Sequence, residues 1–230
     1  MNSNQNKLVG MKKIDKSEIL ATHYYKWFKN LKKGTEIHYD TSKYKRLHYI
    51  DVLLNLIIIQ DGLCAYTESR LVEQDEMPVL RTAFVSGKYT GTKPESPFEI
   101  EHFDSRLKPI KGWDWSNLFA VYDSVNTKVK RINEGKFGIS KILKPDTIKY
   151  DPFKYLDYDT DLHIFLPAEN ISKREKENVS KMIRVLGLNW GEIKMKRKEF
   201  IKEQIFKRDH GSPINIHQYI TAYNMYISKI

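Results

Sequence analysis

Four polar residues in the middle of this 230-residue chain have the types and spacing to do chemistry together. Glu101 and His102 are neighbours, Asn117 follows, and Asn126 comes last. An imidazole that titrates near neutral pH can take a proton from water. A carboxylate and an amide carbonyl are hard oxygen donors suited to Mg²⁺ or Mn²⁺. A phosphodiester resists hydrolysis because its charge repels nucleophiles and its alkoxide leaves poorly, and a divalent ion relieves both obstacles. The expected chemistry is therefore metal-assisted phosphodiester hydrolysis. His102 is the general base, Glu101 and Asn126 hold one Mg²⁺ or Mn²⁺, and Asn117 ties down the loop that fixes His102. Taken alone, Glu101-His102 would read as an exposed strand pair and Asn126 as a first-turn polar residue; the combination points to a site. Asp104 suits a second metal carboxylate or a loop turn. Lys128 suits a phosphate contact or solvent.

The elements that must position these residues follow from periodicity. Phe98–Phe103 alternates Phe98, Ile100 and His102 against Glu99, Glu101 and Phe103, which suits a strand. Leu118–Val121 forms a second short strand, after a loop marked by Gly112, Trp113 and Trp115. Asp123 or Ser124 then caps a helix to about Ile132. Strand, loop, strand, helix is the order that carries Glu101, His102, Asn117 and Asn126. Upstream, residues 1–14 read as a frayed basic leader. Ser17 caps a helix to about Lys33, with Leu20, Tyr24, Trp27 and Leu31 on one face. A second helix starts near Ser42 and ends at Asp61-Gly62. Residues 72–97 hold Pro78, Gly87, Gly91, Pro94 and Pro97 and read as an irregular insertion with one strand at Thr82–Val85. Residues 133–168 look loop-rich. Ser172 with Glu175 makes a capping-box pattern, and Asn189 with Glu192 opens a last long helix to about Arg208. The tail from Gly211 is apolar enough to pack. Three regions result: helices at 1–60, a core at 61–135 containing the 72–97 insertion, and a loop-rich then helical region at 136–230.

Net charge is +10 and unevenly placed. Residues 1–50 carry 11 Lys/Arg against 4 acids, and residues 171–210 carry 12 against 6, while 51–170 is slightly acidic. Basic flanks around an acidic, metal-ready centre suit a polyanion partner or plain solvated helices. Lys194, Lys198 and Lys202 share a helix face and suit either a nucleic-acid backbone or solvent. Hydrophobic content of 40% argues for a folded chain and against disorder. Leu53–Ile59 is too short to span a bilayer, Met1–Gly10 lacks a signal-peptide core, and one cysteine, Cys64, cannot form an intrachain disulfide. No membrane association and a cytoplasmic location are expected. The run Asp157–Asp161 is similar to the start of a calcium loop, but Leu162 and Ala168 stand where Gly and Glu belong, so calcium binding is not expected.

The segments EIEHF and WDWSNLFAVYDSVNTKVK resemble the HNH, or ββα-metal, nuclease motif in its variant with asparagine at the third position. QDGLCAYTE, KPDTIKYDPFKYLDYD and VLGLNWGEI resemble the segments that flank that core in the PtuB-like set of HNH proteins of Septu-type and some retron anti-phage systems. The likeness runs discontinuously from about residue 42 to 200. It implies an α+β fold, with a ββα-metal HNH core flanked by N-terminal and C-terminal helices. It further implies a defence endonuclease working beside an ABC-type or SMC-like, PtuA-like ATPase, with DNA as the default nucleic-acid substrate and RNA open. One feature departs from the family. Many HNH proteins clamp the core with two cysteine pairs around zinc. Here Cys64 matches one position, while Thr67, Tyr122 and Val125 stand at the other three, so no structural zinc is expected and packing by Tyr66, Phe119, Tyr122 and Val125 must replace it. The competing expectation is a catalytically silent subunit that binds nucleic acid or the ATPase on a degenerate HNH scaffold.

Overall fold

The computed structural model describes residues 13–32, 34–95 and 97–230. The basic leader read in residues 1–14 lies outside these except for its last two positions. Helices α1 (Thr22–Lys29), α2 (Ser42–Ile59) and α3 (Met77–Thr82) come first, followed by a small hairpin of β1 (Phe84–Val85) and β2 (Lys88–Tyr89). A central hairpin, β3 (Phe98–His102) and β4 (Leu118–Tyr122), leads into a π-helical turn at Val125–Lys130 and then α4 (Arg131–Phe137). The chain continues through α5 (Pro152–Tyr155), the hairpin of β5 (Leu156–Asp159) and β6 (Ile164–Pro167), and helices α6 (Lys173–Val185), α7 (Gly191–Asp209) and α8 (Ile220–Ile227). Each strand pairs antiparallel with its neighbour in sequence, so the fold is α+β. Among the described residues no helix is long and apolar enough to cross a membrane.

The core forms around α2. From Val52 to Ile58 every position is buried, so this half of the helix is enclosed on all sides rather than laid on a surface. It packs against β3 and β4, which places the central hairpin over the deepest part of the protein. Asn55, which interrupts the apolar run, is fully buried and useful there. Its Oδ1 accepts the backbone N–H groups of Leu20 (2.9 Å) and Ala21 (3.1 Å), unpaired donors at the start of α1. This is why α1 begins at Thr22 and not at Ser17: the donors are met from across the core, and Ser17 donates its own N–H to Asp15. Gln60 does similar work at the edge of β4. Its Nε2 donates to the carbonyl of Ala120 (2.8 Å) and its Oε1 accepts the N–H of Ala120 (2.9 Å), so the strand edge is closed.

Several boundaries differ from the sequence expectation for local reasons. The 72–97 insertion contains α3, because Pro78 sits in a first helical turn where its missing N–H leaves no bond unmade. The helix after β4 runs to Phe137 without a side-chain cap from Asp123 or Ser124. Asn189 does not cap α7. Its amide instead brackets Phe165, accepting that residue's N–H and donating to its carbonyl, both at 2.8 Å, which pins β6. The capping box of Ser172 and Glu175 at α6 is formed in both directions. Residues 156–167, read as loop, form a hairpin whose turn is closed by Asp159 Oδ1 accepting from Asp161 and Leu162. The tail packs as α8 against β5, held by the buried Glu68 carboxylate, which accepts from the N–H and hydroxyl of Thr221.

Replacing Asn55 by leucine keeps the volume and strands two buried donors. The expected loss is about 2 kcal/mol or more of unfolding free energy, read as a lower urea midpoint at unchanged slope. An unchanged midpoint would contradict the capping role.

Candidate active site

The central hairpin and the helix after it enclose a cleft of about 840 Å³ that also takes in the start of α2 and the segment before it. The register is Glu101 opposite Phe119 and His102 opposite Leu118. Because successive strand residues face opposite ways, Glu99 and Glu101 turn toward the helix and His102 toward the loop that joins β3 to β4. Glu101, His102 and Asn126 all line the same cleft.

On the loop side, His102 is 3% exposed. Its Nε2 lies 2.7 Å from the carbonyl oxygen of Gly112. A carbonyl only accepts, so Nε2 carries the proton and Nδ1 holds the free lone pair. Burial pulls the imidazole down to about 4, against the Gly112 carbonyl and with help from Lys108 and Lys130. The ring is therefore neutral at pH 7, the form a base requires. The Tyr39 ring meets it edge-on at 4.4 Å. Gly112 has to be glycine: a Cβ there would sit 2.4 Å from the Tyr39 nitrogen and 2.6 Å from the Lys108 carbonyl oxygen. That close approach comes from the segment between α1 and α2, where Ile37 bridges Lys111 and accepts the Gly112 N–H at 3.0 Å.

Asn117 lies directly behind the histidine loop. Its Oδ1 accepts the Asp104 N–H (2.9 Å), its Nδ2 donates to the Asp104 carbonyl (3.0 Å), and its own carbonyl accepts the Phe103 N–H (2.8 Å). These bonds lock the two residues after His102 to the start of β4. Asp104 turns the loop, accepting from the Arg106 N–H and guanidinium. Two further lysines hold the other side of this backbone. Lys16 Nζ donates to the carbonyls of Trp115 (2.9 Å) and Leu118 (2.5 Å), and Lys144 Nζ donates to Ser116 (2.7 Å), with Asp146 paired to both. Cys64 is buried, Thr67 shares a hydrogen bond with Ser69, and Tyr66 packs between Phe103 and Phe119.

On the helix side, Asn126 donates Nδ2 to Glu99 at 2.9 Å, which leaves its carbonyl oxygen to face another donor or a cation. Glu101 pairs with the ammonium of Lys130, and both are almost fully buried. Lys130 also donates to Glu134 and, at 2.9 Å, to the His102 carbonyl. Burial pushes the Glu101 carboxyl up to about 7, opposed by Lys130 and reinforced by Glu134 and Glu99. Burial also raises Glu99, opposed by its bond from Asn126.

A divalent ion of the magnesium type takes one or two protein carboxylates and completes its shell with water and phosphate. Glu101 and the Asn126 carbonyl suit such a sparse set, and Lys130 already places positive charge against Glu101. Among the described residues no group of three or more His, Cys, Asp and Glu side chains converges as a metal cage.

The lysine that enters the cleft is thus Lys130, while Lys128 is exposed and outside it. Lys194, Lys198 and Lys202 lie on α7 and do not line the cleft. Its basic rim comes instead from Lys45, Arg46, Lys108 and Arg131. Lys45 and Lys108 flank the Tyr39 ring at 4.9 and 5.2 Å and share Asp40 at 3.0 and 3.2 Å. The polar stripe Asn126, Lys130, Glu134 at four-residue spacing was the sequence signal for the helix side. Nothing local in the sequence marked Tyr39 or the Gly112 carbonyl. Compared with models of known families and with curated proteins, the chain matches none.

Proposed function

We propose that this protein is a metal-dependent endonuclease of the HNH type, with the β3–β4 hairpin and the helix after it as its ββα core. The observation that carries the reading is the His102 imidazole: buried, neutral, fixed in one tautomer by the Gly112 carbonyl, and sharing a cleft with Glu101 and Asn126. In this reading His102 takes the proton from the attacking water at Nδ1. Asn117 and Tyr39 keep the ring from drifting, which matters because a base displaced by an ångström loses most of its effect. Glu101 and Asn126 hold one Mg²⁺ or Mn²⁺, which when bound neutralises the phosphate and the leaving oxygen. Lys45, Lys108 and Arg131 contact phosphates on either side of the scissile one, with DNA the default substrate and RNA open. An ABC-type or SMC-like ATPase is the proposed partner, one that restrains or aims the cleavage. Lys194 and Lys198, both half-buried, and the exposed Lys202 lie apart from the cleft on α7, a stripe that suits nucleic acid or that partner.

One observation favours a second reading. The Lys130 side chain standing on Glu101 is also what a silent, degenerate site would hold. A plasmid-nicking assay separates the two. The active reading expects Mn²⁺-dependent nicking that EDTA abolishes and that His102→Ala lowers by about 10²–10⁴-fold. A wild type inactive with Mn²⁺, both alone and with its ATPase, would support the silent subunit. Gly112→Ala should lower nicking as well, because it forces the Tyr39 segment away from the carbonyl that orients the base. The rim is tested by a salt series on DNA binding by the His102→Ala variant. Lys45→Ala and Lys108→Ala should each reduce the slope of log affinity against log salt by roughly one. Unchanged slopes would remove these lysines from the substrate path.

A further inference from the structure

Resting on the nuclease reading above, we infer that Lys130 is an exchangeable occupant of the metal position, and that its hand-over between Glu101 and Glu134 sets how tightly the cleft takes a divalent ion. Lys130 is 1% exposed, and its three N–H bonds face three acceptors: Glu101, Glu134 and the His102 carbonyl. Glu101 is the only one of the three acceptors assigned to the ion. Surrendering it leaves the ammonium two partners on the far side, one of them charged. Glu134 is built to receive it, because its other oxygen is fixed by the Ser105 N–H at 2.8 Å. Glu99, Glu101 and Glu134 bring three carboxylates to the helix side, facing the buried Lys130 and, at longer range, Lys45 and Lys108 of the rim. Lys130 is therefore a positioning residue. It keeps a buried carboxylate compensated while the site waits, and it competes with whatever cation arrives.

The test is Mn²⁺ affinity without nucleic acid, read from the electron paramagnetic resonance of free Mn²⁺. Lys130→Met removes the competitor and should tighten binding roughly tenfold or more. Glu134→Gln weakens the receiving side and should loosen binding. In the double variant that loosening should shrink, because Glu134 then has no ammonium to draw away. Equal loosening in both backgrounds would mean that Glu134 acts on the ion directly and would overturn the hand-over, as would a Lys130→Met protein no tighter than wild type. Should Lys130→Met fail to fold, Lys130→Arg keeps the charge but grips a carboxylate with two N–H groups. It should weaken Mn²⁺ binding several-fold, and unchanged affinity would again overturn the inference. Glu101→Gln reports on the underlying reading separately. Wild-type binding that Glu101→Gln leaves intact, or no binding in any variant, would overturn the metal assignment itself and the competition with it.

Discussion

An ammonium taken out of water needs an acceptor for each N–H, and the arrangement of the cleft follows from how Lys130 meets that demand. Its three partners belong to β3, to the helix after β4 and to the backbone of His102. One charge therefore fixes the helix against the end of β3. Glu134 extends the link to Ser105, so the loop after His102 is held to the same helix. Burial makes such a network unforgiving, because removing one partner leaves another charge without water or counter-charge.

The two sides of β3 then have opposite electrostatics. Toward the helix lie carboxylates, an amide and the lysine; toward the loop lies an uncharged imidazole on a carbonyl. A strand is the shortest way to separate them, since neighbours along it face opposite ways. The His102 residue joins the two sides, since its carbonyl accepts from Lys130 while its ring rests on the Gly112 carbonyl. Around this sit the buried α2, which supports the hairpin from below, and the residues that satisfy stray backbone groups: Asn55 for α1, Gln60 for β4, Asn117 for the loop and Asn189 for β6.

Sequence periodicity was enough for the elements whose signals are local. Alternation marked β3, the Asp61-Gly62 stop marked the end of α2, and Ser172 with Glu175 marked the start of α6. Errors fell where a distant residue did the work a local one was expected to do. Ser17 and Asn189 have the right types to cap helices, yet Asn55 supplies the donors' partner at α1 and Asn189 is spent on β6. The hairpin at 156–167 was hidden because its polar positions, Asp157 and Asp159, read as loop, although Tyr158 between them and Phe165 opposite it are buried. Types and spacing singled out Glu101, His102 and Asn126, which the fold brings to one cleft, and Asn117, which lies behind the loop. They missed Lys130, although its four-residue spacing from Asn126 was visible, because Lys128 stood closer to the motif. Tyr39 and Gly112 were beyond reach, since their contact joins segments far apart in the chain.

That last contact limits how far the cleft can be treated as a cassette. The carboxylates, the imidazole and the amide of the β3 side all fall between 99 and 126, a stretch short enough to graft elsewhere. Yet the carbonyl that sets the imidazole's tautomer is held in place by a bridge from Ile37, and the ring's edge-on neighbour is Tyr39. A transplant of the motif alone would carry these polar groups and leave behind the wall that holds the imidazole in place. Chimeras of this chain must exchange the α1–α2 connection together with the hairpin.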